Sequence, residues 1–181
     1  MGIADLLHSI FGPWPREAPR ARRFWLFYAG PENYLCSSGV RDLQQDAFWS
    51  CESETQKGDL ILVYRKSMNQ LSVEFLTSEF AMLRQVATRV KQSKVGKDFP
   101  AIWEATTDAK ATPRWGWAYG CQVREVQRID PPLSLDQLKA EPRLRKWEGL
   151  RWNLQAKGRS ALEIPQDAWN VIVSLIQGPK K

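Results

Sequence analysis

The stretch Phe24-Trp25-Leu26-Phe27-Tyr28-Ala29 is an unbroken run of aromatic and aliphatic residues, and it ends at Gly30-Pro31. A strand with one face in water alternates apolar and polar residues, whereas a strand covered on both faces is apolar throughout. The run therefore predicts a strand that is buried on both faces, as in a sheet that curls into a barrel.

A second apolar run, residues 60–64, follows the turn sequence Lys57-Gly58-Asp59 and predicts another buried strand. Three later segments also have strand-like patterns: residues 101–106, 115–126 and 161–164. In the second of them, apolar side chains occupy every other position from Trp117 to Val123, which predicts one covered face. Pro131-Pro132 is expected to end this strand.

Apolar residues recur at helical spacing from residue 71 to residue 95, and again after Pro165. Ser134 is placed to cap a short helix over residues 135–139. Strands and helices do not alternate as they do in parallel βαβ units. We therefore expect an α+β fold, in which a mixed, largely antiparallel sheet curls toward a barrel with helices packed outside it.

A chain of 181 residues is long enough to bury one sizeable core. Residues 1–23 are interpreted as a short helix and a basic, Pro-rich arm, residues 24–178 as the main domain, and residues 179–181 as a basic tail. No apolar run approaches the roughly 18 residues of a membrane-spanning helix, and no signal peptide is recognisable. We therefore expect a cytoplasmic protein without a membrane partner.

The residue inventory limits the chemistry of the main domain. The one histidine is His8, in the arm, so neither a Ser-His-Asp triad nor a histidine-rich metal site is available there. Phosphate-loop and dinucleotide motifs do not occur. Cys36, Cys51 and Cys121 form no Cys-x-x-Cys pair, which argues against a structural zinc site. These observations favour binding over catalysis and predict neither a cofactor nor a metal.

The charge indicates an anionic partner. Lys and Arg number 26 against 20 Asp and Glu, a formal net charge of +6, and nucleic acid is the commonest partner of such proteins. Nine tryptophans provide flat rings of the kind that stack on bases. Residues 143–147 and 151–160 interleave basic side chains, amides and aromatics, as a surface that contacts both phosphates and base edges does.

Several residues allow more than one interpretation. Trp49, in a segment interpreted as a polar loop over residues 46–51, is either a hydrophobic plug or one wall of an aromatic slot. An enzyme acting on nucleic acid through Cys51, or through Asp98 and Glu104, remains an alternative, although Thr106 stands where a catalytic lysine would be needed. A further alternative is an assembly module whose basic loops face an acidic protein.

Short motifs, taken in order, resemble the EVE domain, a branch of the PUA-like fold related to the YTH readers of modified RNA. Besides the first strand, Pro31 and Tyr34, they are residues 57–60, 105–109, 114–115, 132–139, 158–160 and 164–165. The family often has Ser-Glu-Pro after the first strand, where this chain has Ala29-Gly30-Pro31. Residues 74–95 look like a helical insertion within the family pattern.

The resemblance implies a PUA-like barrel that accepts a flipped, modified base in an aromatic pocket, without catalysis. The base is often a cytosine altered at carbon five, such as 5-methylcytosine or 5-hydroxymethylcytosine, in DNA or RNA. We hypothesise that such a module serves restriction or a similar surveillance task through a separate nuclease or effector subunit. One or two aromatic faces, at roughly 1 to 3 kcal/mol per base, offset the few kcal/mol lost on flipping.

The resemblance also assigns roles by position in the motifs. The expected pocket residues are Asn33, Tyr34, Trp49, Ser50 and Trp115, with polar contacts from Arg151, Asn153 and Gln155. The residues expected to hold phosphates are Arg65, Lys66, Lys157 and Arg159.

Overall fold

The computed structural model describes residues 21–36, 39–40, 42–43, 47–66, 96–112, 117–151, 153–154 and 158–178. Most of the expected N-terminal arm, the insertion over residues 74–95 and the tail over residues 179–181 lie outside these residues. None of the described helices has the length and apolar content needed to cross a bilayer.

The strands and helices of the described residues follow the chain in one series. The strands are β1 (Phe24–Ala29), β2 (Leu35–Cys36), β3 (Gly39–Val40), β4 (Phe48–Cys51), β5 (Leu60–Arg65), β6 (Asp98–Ala105), β7 (Lys110–Ala111), β8 (Tyr119–Ser134) and β9 (Ala161–Glu163). The helices are α1 (Pro31–Tyr34), α2 (Leu135–Ala140), a 3-10 turn (Pro142–Leu144), α3 (Glu148–Arg151) and α4 (Gln166–Gln177).

The main sheet has seven strands in the order β4-β8-β6-β5-β1-β9, with β7 also paired to β8. β1 and β5 run parallel, with Trp25 opposite Ile61, and the other pairs in this sheet are antiparallel. The expected mixed, largely antiparallel sheet is therefore confirmed. Its two ends approach each other and give a nearly closed barrel with few helices, as predicted.

The side chains of β1 alternate between two cores. Trp25, Phe27 and Ala29 point into the barrel, whereas Phe24 and Leu26 point outward, and these five residues are buried. The outer face is covered by α4, whose Trp169 stacks on Phe24 at a centroid distance of 4.6 Å. Burial of β1 on both faces, predicted from its continuous apolar run, is thus confirmed.

The turn before β5 is tied to β1 by the carboxylate of Asp59. Gly58 has a φ of +90°, a conformation that side chains with a Cβ rarely adopt, and it places Asp59 beneath β1. The Asp59 carboxylate accepts hydrogen bonds from the backbone N–H groups of Arg23 and Gln56 and from the indole of Trp25, all within 3.0 Å. These bonds satisfy a carboxylate that is otherwise buried.

Glu52 bridges the two ends of the sheet. It follows β4, and its Oε1 accepts hydrogen bonds from the backbone N–H groups of Ser160 (2.7 Å) and Ala161 (3.0 Å) at the start of β9. At this seam a side-chain carboxylate therefore accepts the hydrogen bonds that backbone carbonyls accept elsewhere in the barrel.

Two sequence interpretations of strand boundaries were wrong. Residues 48–51 form β4, not part of a polar loop, because they pair with β8 along their whole length. β8 does not end at Pro131-Pro132 but continues to Ser134. On β6, one residue, Pro100, separates Phe99 from Ala101, whereas four residues separate their pairing partners on β8. The two prolines are among these four residues and therefore lie where β8 bulges. A bulge leaves backbone groups outside the ladder and so tolerates residues without an N–H.

Helix α2 begins as predicted at Ser134. The Ser134 hydroxyl accepts a hydrogen bond from the N–H of Gln137, and the Gln137 side chain accepts one from the N–H of Ser134. This reciprocal pair is a capping box, which satisfies two N–H groups that the helix itself leaves without a partner.

Candidate nucleic-acid interface

Trp49 lies inside the barrel, on β4, directly opposite Cys121 of β8. It packs edge-to-face against Trp103 of β6, with ring centroids 4.9 Å apart and an interplanar angle of 66°. Trp49 keeps 9% of its surface exposed, whereas Trp103 keeps none. Of the two tryptophans, only Trp49 therefore keeps some surface in contact with solvent.

The indole N–H groups of Trp49 and Trp103 are both buried, and among the described residues neither has a hydrogen-bond acceptor. A buried donor without a partner costs about 1 to 3 kcal/mol, so two of them in contacting rings need an explanation. Together they place two unused donors on one part of the barrel interior.

Ser50 does not share the side-chain environment of Trp49. Successive residues of a strand point to opposite faces, so the half-buried Ser50 lies on the outer face of β4, opposite Gly120. Phe48 shares that outer face and covers Gly120, where an added Cβ would overlap its ring. The structure thus separates Ser50 from Trp49, although both were expected to line one pocket.

Asn33 and Tyr34 lie in α1, which follows β1. The half-buried Asn33 donates its backbone N–H to the carbonyl of Gly30 at 2.9 Å. Tyr34 is fully buried in the same interior cluster as Trp49, and its hydroxyl donates to the carbonyl of Lys66 at 2.6 Å. Tyr34 therefore ties the end of β1 to the end of β5.

Arg65 forms a two-pronged ion pair with Asp98, in which Nε and Nη2 each lie 2.7 Å from a carboxylate oxygen. Its guanidinium also lies over the Tyr34 ring, 5.7 Å from the centroid, and the side chain is only 12% exposed. These contacts hold the Arg65 side chain against the barrel. A phosphate would have to compete with Asp98 for it.

Lys66 is the more accessible cation at this position. Its ammonium lies over the ring of Tyr28, 5.1 Å from the centroid, and the side chain is half-buried. The buried Tyr28 hydroxyl has no hydrogen-bond partner among the described residues, and burial, with a smaller contribution from Tyr64, raises its pKa.

A second group of expected contact residues lies in the segment between α3 and β9. Arg151, Asn153 and Arg159 are all exposed. Asn153 has a φ of +51°, and the next residue, Leu154, is buried and anchors the turn. Trp115, Gln155 and Lys157 lie outside the described residues.

The carboxylates of the enzymatic alternative do not come together. Asp98 and Glu104 lie six residues apart on the single strand β6, which places them about 20 Å apart at roughly 3.3 Å per residue. Asp98 pairs with Arg65, whereas Glu104 pairs with Arg124 at 2.6 Å. Among the described residues, no three His, Cys, Asp or Glu side chains are grouped as a metal site requires.

Cys51 is buried beside Cys121, with 1% of its surface exposed. A hydrogen bond from Cys121 lowers the pKa of Cys51, and the same bond together with burial raises the pKa of Cys121. The Cys51 side chain is therefore almost completely shielded from solvent.

The contact between Trp103 and Trp49 was not anticipated from the sequence. The signal was the pattern on the inner face of β6, where Ala101 and Ala105 flank Trp103. Small residues on either side of a large ring leave room for a second ring to pack against it. Within the alternating pattern of residues 117–123, Trp117 and Tyr119 are each 37% exposed, whereas Cys121 and Val123 are buried.

Solved structures with this fold come from several organisms. Protein Atu2648 from Agrobacterium tumefaciens is 15% identical, with 85% of this chain and 92% of that chain covered at a TM-score of 0.56. Rpa0253 from Rhodopseudomonas palustris is 17% identical, covering 83% and 90% at 0.52. Human THYN1, in complex with 5-methylcytosine containing DNA, is 12% identical, covering 87% and 99% at 0.51.

No functionally curated protein matches the sequence. The model of the EVE domain family matches residues 23–175, which include each of β1 to β9 and most of α4. The first strand and the Lys57-Gly58-Asp59 turn that suggested this family have defined roles in the barrel. The chain therefore belongs to the EVE domain family.

Proposed function

We propose that this chain is a non-catalytic nucleic-acid-binding module that accepts a flipped, modified base beside Trp49. The base is a modified cytosine such as 5-methylcytosine or 5-hydroxymethylcytosine. The observation that carries the proposal is the pair of buried indole N–H groups, of Trp49 and Trp103, without an acceptor among the described residues. A bound base that supplies an acceptor removes the cost of at least one of them.

Cytosine has the chemistry that these donors need. Its Watson–Crick edge carries two acceptors, N3 and O2, which are freed when the base leaves the duplex. Trp49 retains some exposed surface, whereas Trp103 retains none. The aromatic surface of Trp49 also recovers part of the stacking energy that flipping costs.

Contacts with phosphates fit the charge of the chain. The net charge of +6 favours a polyanion, and Lys66, Arg151 and Arg159 are cations outside the buried Arg65 ion pair. The human THYN1 complex with 5-methylcytosine containing DNA has the same fold, which is consistent with such a partner.

Recognition alone does not change the nucleic acid. We therefore include in the proposal that the module acts together with a separate nuclease or effector subunit, as restriction of modified DNA requires. We also propose that it works in the cytoplasm.

The test is a binding titration with oligonucleotides that differ only in the central base: cytosine, 5-methylcytosine or 5-hydroxymethylcytosine. DNA and RNA versions, single-stranded and duplex, are compared at one fixed salt concentration. We expect the wild type to prefer a modified base, and Trp49→Ala to lose that preference. Trp49→Phe keeps an aromatic ring but removes the N–H, so it isolates the hydrogen bond.

Trp169→Phe is the matched control, because Trp169 is a buried tryptophan on the outer face of the sheet, away from Trp49. It should leave the preference for the modified base unchanged. Equal affinity of the wild type for all three central bases would refute the proposal. Equal loss of affinity for modified and plain oligonucleotides in Trp49→Ala would refute the role of Trp49.

A further inference from the structure

Two large aromatic side chains, Trp117 and Tyr119, are exposed next to one another at the start of β8. Each is 37% exposed, and the only other large hydrophobic side chain this exposed among the described residues is Val126. Exposed aromatic pairs are costly in a soluble protein and commonly mark a contact surface.

Tyr119 extends the inner face of the barrel beyond its rim, and Trp117 lies two residues before it. Tyr119, Cys121 and Val123 alternate along β8 and so share one face, but only Cys121 and Val123 are covered by the barrel. Hydrogen bonds from the N–H of Thr112 to the Ala118 carbonyl and from the Thr112 hydroxyl to the Trp117 carbonyl continue the β7–β8 hairpin past the sheet. We call Trp117 and Tyr119 the aromatic lip.

The aromatic lip lies next to the tryptophan of the proposed base site. Trp49 is opposite Cys121, and Cys51 is opposite Tyr119, so Tyr119 is one step along the same face from the partner of Trp49. Exposed cations occupy the opposite face of the same strands: Lys110 is opposite Gly120, and the side chain of Arg124, which is 60% exposed, pairs with Glu104. Exposed aromatic rings in line with the proposed base site suit the stacking of bases.

We propose that the aromatic lip stacks on the unpaired bases that flank the displaced base, which rests on the proposed function of the module. Two residues of chain span at most about 7 Å, twice the 3.4 Å rise between stacked bases. The two rings therefore hold two bases that have been separated from each other. The flanking contact adds affinity without distinguishing a modified base from a plain one.

The test combines protein variants with abasic nucleotides. Single-stranded oligonucleotides carry a central 5-methylcytosine or cytosine, and each flanking position holds either a base or an abasic site. Tyr119→Ala and Trp117→Ala should each weaken binding by roughly 5- to 150-fold, as loss of one stacked base does. The loss should be the same for both central bases and should vanish when the matching flanking position is abasic.

Two variants control for general effects. Tyr119→Phe keeps the ring and should bind like the wild type. Val126→Ala removes a side chain of the same strand that is 47% exposed, and it should leave binding unchanged. Because the three side chains that these variants change are exposed, unfolding curves should stay close to that of the wild type.

The possible failures are distinguishable. Alanine variants that bind within twofold of the wild type, or whose loss persists with abasic flanks, overturn the aromatic lip while leaving any preference for 5-methylcytosine intact. Wild-type binding without such a preference, combined with a flank-dependent loss in the alanine variants, supports the aromatic lip and overturns the proposed function. A wild type that binds no oligonucleotide overturns both.

Discussion

The indole Nε1 of Trp25 donates a hydrogen bond to the carboxylate of Asp59 at 2.9 Å, across 34 positions of sequence. The same carboxylate accepts hydrogen bonds from two backbone N–H groups. Both of its oxygens therefore face donors, and a side chain that itself donates does not fit this position. Asp59→Asn puts an amide NH₂ against at least one of those donors. We expect a loss of about 2 to 4 kcal/mol in the free energy of unfolding, measured in urea.

The matched control for Asp59 is Asp108→Asn. Asp108 accepts one backbone N–H, from Lys57, at 2.9 Å and is exposed, so water replaces the lost contact. We expect a change below about 1 kcal/mol. Similar losses for the two variants would show that burial of Asp59 is not what makes it important.

Removing Glu52 should loosen the seam between β4 and β9. Glu52→Ala leaves the N–H groups of Ser160 and Ala161 without their acceptor, at a cost of about 1 to 3 kcal/mol. Hydrogen exchange at these two amides should accelerate more than exchange in β5, which lies in the middle of the sheet. Glu54→Ala, next to the seam, should leave their exchange unchanged, and uniform acceleration in all strands would contradict a local role.

Arg65 and Lys66 should respond differently to alanine substitution. Arg65→Ala leaves the Asp98 carboxylate without its ion pair and should lower the free energy of unfolding by about 3 to 5 kcal/mol if the pair behaves as a buried one. Lys66→Ala should leave the fold stable but reduce the salt dependence of oligonucleotide binding by about one phosphate contact. A reduced salt slope in Arg65→Lys, without loss of stability, would reverse these assignments.

The tyrosines of the outer core should make the protein sensitive to alkali. Burial, assisted by the charges of Asp98 and Asp136, raises the pKa of Tyr64 from 10.0 to about 12. A raised pKa means that the folded state favours the neutral phenol, so this stabilisation is complete below about pH 10 and is lost as the pH rises toward 12. The urea midpoint should therefore fall over this range.

Tyr64→Phe has no phenol to ionise at this position and should show a smaller fall between pH 10 and pH 12. Absorbance at 295 nm should show, in parallel, that fewer tyrosines ionise in the folded wild type at pH 11 than in the unfolded chain. An unchanged pH dependence in Tyr64→Phe would assign the alkaline transition to other groups.

A strand was predictable from sequence where its pattern of apolar residues allowed only one interpretation. β1 is apolar at every position, and its burial on both faces followed from that pattern. The cap at Ser134 was equally local, since hydroxyl and amide lie three residues apart. The boundary of β8 was not predictable, because Pro131 is tolerated only through a bulge set by the register with β6, which is a tertiary property.

The candidate site was predictable as a set of residue types, not as an arrangement. Sequence motifs pointed to Trp49, but pairing with Cys121 decides that its ring lies inside the barrel and that Ser50 faces outward. Arg65 was expected to be free for phosphate, and only the fold brings Asp98 beside it from 33 positions away. Side-chain partners across strands depend on register, which no local pattern of charge specifies.

The parallel pairing of β1 with β5 has a consequence for how this barrel varies. Parallel strands cannot be joined by a tight turn, so the connection over residues 30–59 must return along the barrel before β5 begins. Trp49 and Tyr34 both belong to that return path. Closing a longer loop costs little, about 0.1 kcal/mol for five added residues in a connection of this length. Residues added to the parts of this connection that precede or follow β4 are therefore expected to leave the register of the main sheet unchanged.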